Sequence, residues 1–283
     1  LLLAPRLEPS LAPLLARRLN RPHSPPLIRT TLDANLQRRL EDLLLGWRAR
    51  PPEHTSAAII VVETENMAVR AYLGSVDIND ARRFGHVDMI SAIRSPGSTL
   101  KPFLYGMALD AGLIHSESLL QDVPRRYGDY RPGNFSMGFS GAVSASSALA
   151  LSLNLPAVQL LEAYGPKRFA ADLRNGGIPL ILPALAEPNL ALILGGAGSR
   201  LEDLVSGYSA LARGGNSANL RLQPQDELVE RRMLSPGAAW IIRRILSGQA
   251  RPDRDPTAEL VQRPALAWKT GTSYGFRDAL AIG

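Results

Sequence analysis

Lysine is scarce in this chain. Thirty-two Lys and Arg residues are present, and only Lys101, Lys167 and Lys269 are lysine. The first stands in "RSPGSTLKPF", residues 94–103, three places after Ser98. Gly97 and Ser98 fit a helix start, and Pro102 falls near the first turn, where a missing N–H costs least. Positions i and i+3 share a helix face, so this spacing sets the Ser98 hydroxyl beside the Lys101 amine. A serine hydroxyl is a poor nucleophile until a base takes its proton. A lysine whose pKa is lowered by burial or by other cations can be that base. An arginine, always protonated, cannot. Taken alone, S-x-x-K is a weak signal, and a capped helix with a surface lysine accounts for it equally well.

Two further stretches carry similar chemistry. In "LSLNLPAV", Ser152 and Asn154 flank a leucine at the end of a helical run and before Pro156. Alternate residues of a non-helical turn point the same way, so a hydroxyl and a carboxamide can enter one cleft. A helix C-cap is the plain alternative. In "WKTGTS", Lys269 opens a predicted strand. Lys269 brings positive charge, Thr270 and Thr272 bring hydroxyls to grip a carboxylate, and Gly271 lets a backbone or ligand approach closely. An edge strand blunted by a lysine is the plain alternative here.

The composition narrows the chemistry. The 283 residues, 45% hydrophobic and 20% charged, make one large domain or a domain with an appendage. No cysteine is present, which excludes thiol nucleophiles, disulfides and Cys-type zinc sites. His23, His54, His86 and His115 have no nucleophile-elbow context, and no G-x-S-x-G occurs, which argues against a Ser-His-Asp hydrolase. The histidines form no visible metal cluster, and neither metal nor cofactor is expected. No apolar run approaches membrane-spanning length. The leucine-rich start is broken by Pro5, Arg6, Glu8 and Pro13 and does not read as a signal peptide. Most of the net charge of +6 sits in residues 1–50, where nine arginines face Glu8, Asp33, Glu41 and Asp42. A solvated linker with an amphipathic helix explains this better than nucleic-acid binding, for which no motif is present.

The elements that must hold these motifs follow from pattern. Asp33 caps a helix carrying Leu36, Leu40, Leu43 and Leu44 on one face. Residues 57–63 and 68–73, around a "TEN" turn, read as an antiparallel hairpin. Helical patterns dominate from Ser98 to about Arg232, several of them stopped by glycine. Ser235 and Pro236 start one more helix, and "ALAWKTGTS" and "RDALAIG" read as strands. Strands first and last with helices between give an α+β layout in which the two chain ends meet in one antiparallel sheet around a largely helical insert. The last strand is expected to lack a partner, which suggests a truncated C-terminus. A lost upstream segment is expected from the non-methionine start.

The order S-x-x-K, S-x-N, K-T-G resembles the transpeptidase domain of penicillin-binding proteins, over about residue 28 to the end. "YRPGNF", "LILGGAG" and the segment "TTLDANLQRRLE" resemble bifunctional class A members, in which that last segment connects to a glycosyltransferase domain. The resemblance implies a penicillin-binding/β-lactamase-like fold, with residues 1–50 as linker after a missing glycosyltransferase domain and 51–283 as the transpeptidase domain. It implies Ser98 as the acylated nucleophile, Lys101 as its base, and Ser152 and Asn154 as proton relay and substrate-amide holders. Lys269, Thr270, Gly271 and Thr272 form the donor-carboxylate site, and the backbone N–H groups of Ser98 and Thr272 form the oxyanion hole. Expected partners are peptidoglycan stem peptides or a lipid-linked precursor, β-lactams and other cell-wall synthesis proteins, at the periplasmic face of the bacterial inner membrane, with the membrane anchor outside this chain. Three alternatives stand beside this reading: a weakly active or inactive binding module, a D,D-carboxypeptidase, and a β-lactamase in which Glu187 of "AEPNLAL" would deacylate.

Overall fold

In the computed structural model, which describes residues 11–128, 131–134, 138–249 and 265–283, the chain divides into two units. The leucine-rich start through Glu8 lies outside the described residues, as do Tyr130 and Phe135 of "YRPGNF".

The first unit holds residues up to Ile93, together with Arg200–Glu202 and Asn219–Val229. Its elements are α1 (Pro13–Leu19), α2 (Ala34–Trp47), β1 (Ile59–Glu63) and β2 (Ala68–Leu73). Asp33 caps α2 as expected, accepting the N–H groups of Asn35 at 2.9 Å and Leu36 at 3.0 Å. Leu36, Leu40 and Leu44 pack with Ala71 and Leu73 of β2. Leu43, expected on the same face, is half exposed. The sheet follows the i+4 row of leucines, and a residue one step from Leu44 lies about 100° around the helix. β1 and β2 form the predicted antiparallel hairpin, from Ile59 opposite Leu73 to Glu63 opposite Ala68, with a bulge at Val61/Val62.

The second unit holds Arg94–Ser199, Asp203–Ala218 and Glu230–Gly283. A 3₁₀ turn, Gly97–Leu100, runs directly into α3 (Lys101–Asp110). Then follow β3 (Leu119–Asp122), β4 (Gly141–Ser144), α4 (Ala145–Ala150), α5 (Asn154–Tyr164), α6 (Pro166–Asn175) and α7 (Leu201–Ala212), the last belonging to this unit from Asp203 on. β5 (Asn216–Ala218), β6 (Glu230–Arg232), α8 (Pro236–Ser247), β7 (Lys269–Thr272) and β8 (Ala279–Ile282) complete it. Every residue of α3 from Lys101 to Ala108 is buried. A helix apolar on all sides belongs at the centre of a core, and α5 and α8 pack around this one. α8 starts as predicted, with the Ser235 hydroxyl accepting the Ala238 N–H at 3.1 Å. Gly165 ends α5 with a positive φ of 95° but an extended ψ of 118°, and Gly248 ends α8 at φ −78°, so neither is the expected left-handed stop.

The fold is α+β. β1 pairs with β2, and β7 pairs antiparallel with β8, as separate two-stranded sheets among the described residues. The far edge of β2 is already occupied: Val69 N–H bonds Arg221 O at 2.9 Å, Arg221 N–H bonds Met67 O at 2.8 Å, and Arg70 O accepts the Asp33 N–H at 2.9 Å.

Candidate active site

Ser98 lies in the 3₁₀ turn that opens α3. In such a turn residues i and i+3 eclipse, which sets Ser98 over Lys101. The turn is pinned from within and from α7. The Thr99 hydroxyl donates to Pro96 O at 2.7 Å, and the Tyr208 hydroxyl donates to Thr99 O at 2.8 Å. Two glycines let β7 lie against this turn. A β-carbon on Gly97, whose φ is 51°, would stand 2.6 Å from Thr272 O and 2.8 Å from Thr272 N. One on Gly271 would stand 2.3 Å from Pro96 O. Both contacts are with backbone, so any side chain at either position would push strand and turn apart.

Lys101 is fully buried at the start of the central helix. Its Nζ donates to Ser152 O at 2.7 Å and to Asn154 Oδ1 at 2.7 Å, and lies 3.5 Å from Ser152 Oγ. Burial, and secondarily the charge of Lys269, push its pKa well below the ordinary lysine value. A neutral amine has two N–H donors and one lone pair. Two acceptors at 2.7 Å take the donors and leave the lone pair for a proton. Among the described residues the Ser98 hydroxyl, half-buried, has no hydrogen-bond partner. Catalytic hydrogen bonds commonly tighten only once substrate is bound.

Ser152 sits between α4 and α5 with φ 57°, a left-handed conformation uncommon outside glycine. The strained turn lets its two oxygens serve two amines. The carbonyl takes Lys101, and the hydroxyl accepts from Lys269 Nζ at 2.8 Å. Lys269, 1% exposed, also donates to Thr270 O at 3.0 Å, and burial lowers its pKa to about 8. Strand alternation turns Lys269 and Gly271 inward and leaves Thr270 and Thr272 exposed. Hydrogen bonds thus join Lys101, Ser152, Asn154 and Lys269, and β7 is packed on the Ser98 turn. The Thr270 and Thr272 side chains stand on the strand's outer face.

Two residues absent from the predicted set touch this cluster. Asn134 Oδ1 accepts the Asn154 N–H at 2.9 Å, and Asn134 Nδ2 donates to the buried Asp122 at 2.6 Å. "YRPGNF" marked the right segment without singling out the asparagine. Glu187 is a surface residue: its carboxylate meets Lys167 Nζ at 2.7 Å, with the two side chains 74% and 71% exposed. Among the described residues no His/Cys/Asp/Glu group could hold a metal ion.

Comparison with known proteins shows the family. Residues 57–178 match the penicillin binding protein transpeptidase domain, a range containing Ser98, Lys101, Ser152 and Asn154. The chain is 62% identical over 281 residues to Penicillin-binding protein 1C of Escherichia coli, covering 99% of this chain and 36% of that protein. It is 32% identical over 175 residues to Penicillin-binding protein 1A of the same organism, covering 60% of this chain and 20% of that one. The chain therefore spans only about a third or less of the length of these curated relatives. In fold it matches PonA1 of Mycobacterium tuberculosis, solved with penicillin V, at a TM-score of 0.69 and 21% identity, over 87% of this chain and 69% of that one. The domain match, the identity along nearly the whole chain and the shared fold establish that this chain belongs to the penicillin-binding protein transpeptidase family.

Proposed function

We propose that this chain is a peptidoglycan D,D-transpeptidase acting through a Ser98 acyl-enzyme. The observation that carries the reading is the buried Lys101 amine, whose two donors are taken by Ser152 O and Asn154 Oδ1. Ser98 Oγ gives its proton to that amine and attacks the carbonyl of the penultimate D-Ala of a stem peptide. The negative charge that develops on the carbonyl oxygen is held by the Ser98 and Thr272 backbone N–H groups, each worth about 3 kcal/mol. The peptide C–N bond then breaks. The leaving D-Ala amine takes its proton from Lys101 through the Ser152 hydroxyl. A second stem's amine gives a proton to Lys101 and attacks the ester; the C–O bond to Ser98 breaks, Lys101 returns that proton to Ser98 Oγ, and the cross-link is formed. Lys269, with the Thr270 and Thr272 hydroxyls, binds the donor's terminal carboxylate. A β-lactam opens on the same serine, and its amine stays tethered, so the ester persists.

Residues 51–283 are read as the transpeptidase domain and 1–50 as its connector. Action at the periplasmic face of the bacterial inner membrane, beside other cell-wall synthesis proteins, follows from the family resemblance. No helix among the described residues is long and apolar enough to cross a membrane.

The test is D-Ala release from a stem pentapeptide with an amino acceptor, followed across pH. The rate is expected to rise as Lys101 loses its proton, because a protonated amine cannot take one from Ser98. It is expected to fall above pH about 8, where Lys269 loses the charge that binds the carboxylate. In Lys269→Arg that falling limb should move to much higher pH, since arginine keeps its charge. A folded protein that binds the peptide but releases no D-Ala at any pH would favour the binding-module alternative.

A further inference from the structure

We infer that Asn134, anchored by the buried carboxylate of Asp122, is a positioning residue: it holds the start of α5 and the neighbouring Gly133 carbonyl so that Asn154 turns Oδ1 toward Lys101. The inference rests on the acylation reading above. α5 begins without a side-chain cap of its own at Leu153. Its first N–H, that of Asn154, is one of the donors a helix start leaves unsatisfied. Asn134 Oδ1 takes it at 2.9 Å, from the connection between β3 and β4. The neighbouring Gly133 O accepts Asn154 Nδ2 at 2.7 Å. With its NH₂ committed there, Asn154 presents Oδ1 to Lys101 at 2.7 Å. The flipped amide would set its oxygen against the Gly133 carbonyl, a repulsive contact, and would offer NH₂ to the lone pair that the Ser98 proton needs.

Asn134 is itself held in one orientation. Its Nδ2 donates to Asp122 Oδ1 at 2.6 Å and to Gly138 O at 3.0 Å. Asp122 is fully buried at the end of β3, opposite Gly141, and its second oxygen accepts the Ser140 N–H at 2.8 Å. A carboxylate can accept at both oxygens, which an amide in its place cannot. The chain Asp122–Asn134–Asn154–Lys101 therefore runs from a buried carboxylate to the amine. It makes Lys101 spend an N–H on Asn154 and keep its lone pair for Ser98.

The experiment is acylation by a chromogenic cephalosporin, resolved into a non-covalent binding constant and a first-order acylation rate constant. Asn134→Ala is expected to lower the rate constant about 10–100-fold, the cost of a misplaced reacting group, with the binding constant within about twofold. In an Asn154→Ala background the same change should cost less than about twofold: the backbone bond to residue 154 remains, but the carboxamide whose orientation it serves is gone. Should Asn134→Ala not fold, Asp122→Asn, which offers one acceptor to two donors, is expected to show the same split. An unchanged rate constant, or a loss that persists in full without Asn154, would overturn the inference. A folded wild type that is not acylated at all fails earlier, at the proposed function.

Discussion

Lys101→Met is expected to lower the second-order rate of acylation by a β-lactam about 10²–10⁴-fold, the usual contribution of a general base. Methionine is apolar, flexible and of similar length, so it fills the space of a side chain that is wholly buried in the native protein. It leaves Ser152 O and Asn154 Oδ1 without their donor, and it relieves the cost of keeping an amine out of water. The melting temperature should therefore change much less than the rate. Lys101→Arg is the sharper control. It keeps a cation and several donors in place but cannot take a proton at any working pH, and it should be as inactive as the methionine variant. Stopped-flow acylation beside thermal unfolding reads both. A fast Lys101→Arg variant would mean that the amine acts only as a positive charge.

Gly271→Ala is expected to lower acylation by about 100-fold or more and to destabilise the domain by about 1–3 kcal/mol. The added carbon would stand 2.3 Å from Pro96 O and 2.7 Å from Thr99 Cγ2. Neither is the free end of a flexible side chain, so β7 must shift off the Ser98 turn. That shift carries the Thr272 N–H away from the oxyanion position and Lys269 away from Ser152. Thr270→Ala, on the outward face of the same strand, should leave stability nearly unchanged. Calorimetric unfolding and acylation rates of the two variants separate close packing from hydroxyl chemistry. Equal stability losses in both would contradict the packing argument.

Much of the site was legible because its elements are coded locally. Ser98 and Lys101 share one turn, Ser152 and Asn154 share another, and Pro102, Pro156 and Pro236 mark helix starts without ambiguity. Gly271 could be singled out because glycine in a strand signals a close approach. What the sequence does not carry is how separate segments meet. That Lys101 spends its donors on Ser152 and Asn154 depends on a left-handed turn at a serine, a conformation no propensity predicts. Asp122 and Asn134 gave no pattern because an isolated Asp and Asn look like turn residues until burial shows otherwise. Alternation likewise reveals a strand, but not which segment covers its edge, as Arg221 covers that of β2. Leu43 marks the finer limit, since heptad spacing from Leu36 does not say which row of a helix the sheet follows.

The central claim, a serine that forms an acyl-enzyme, is tested most directly by intact mass after incubation with benzylpenicillin, on the wild type and on Ser98→Ala. The account predicts one adduct per chain, mapped by proteolysis to the peptide that contains Ser98, persisting for hours and absent from the variant. A folded wild type that acquires no adduct, or a Ser98→Ala variant that retains it, would contradict the account.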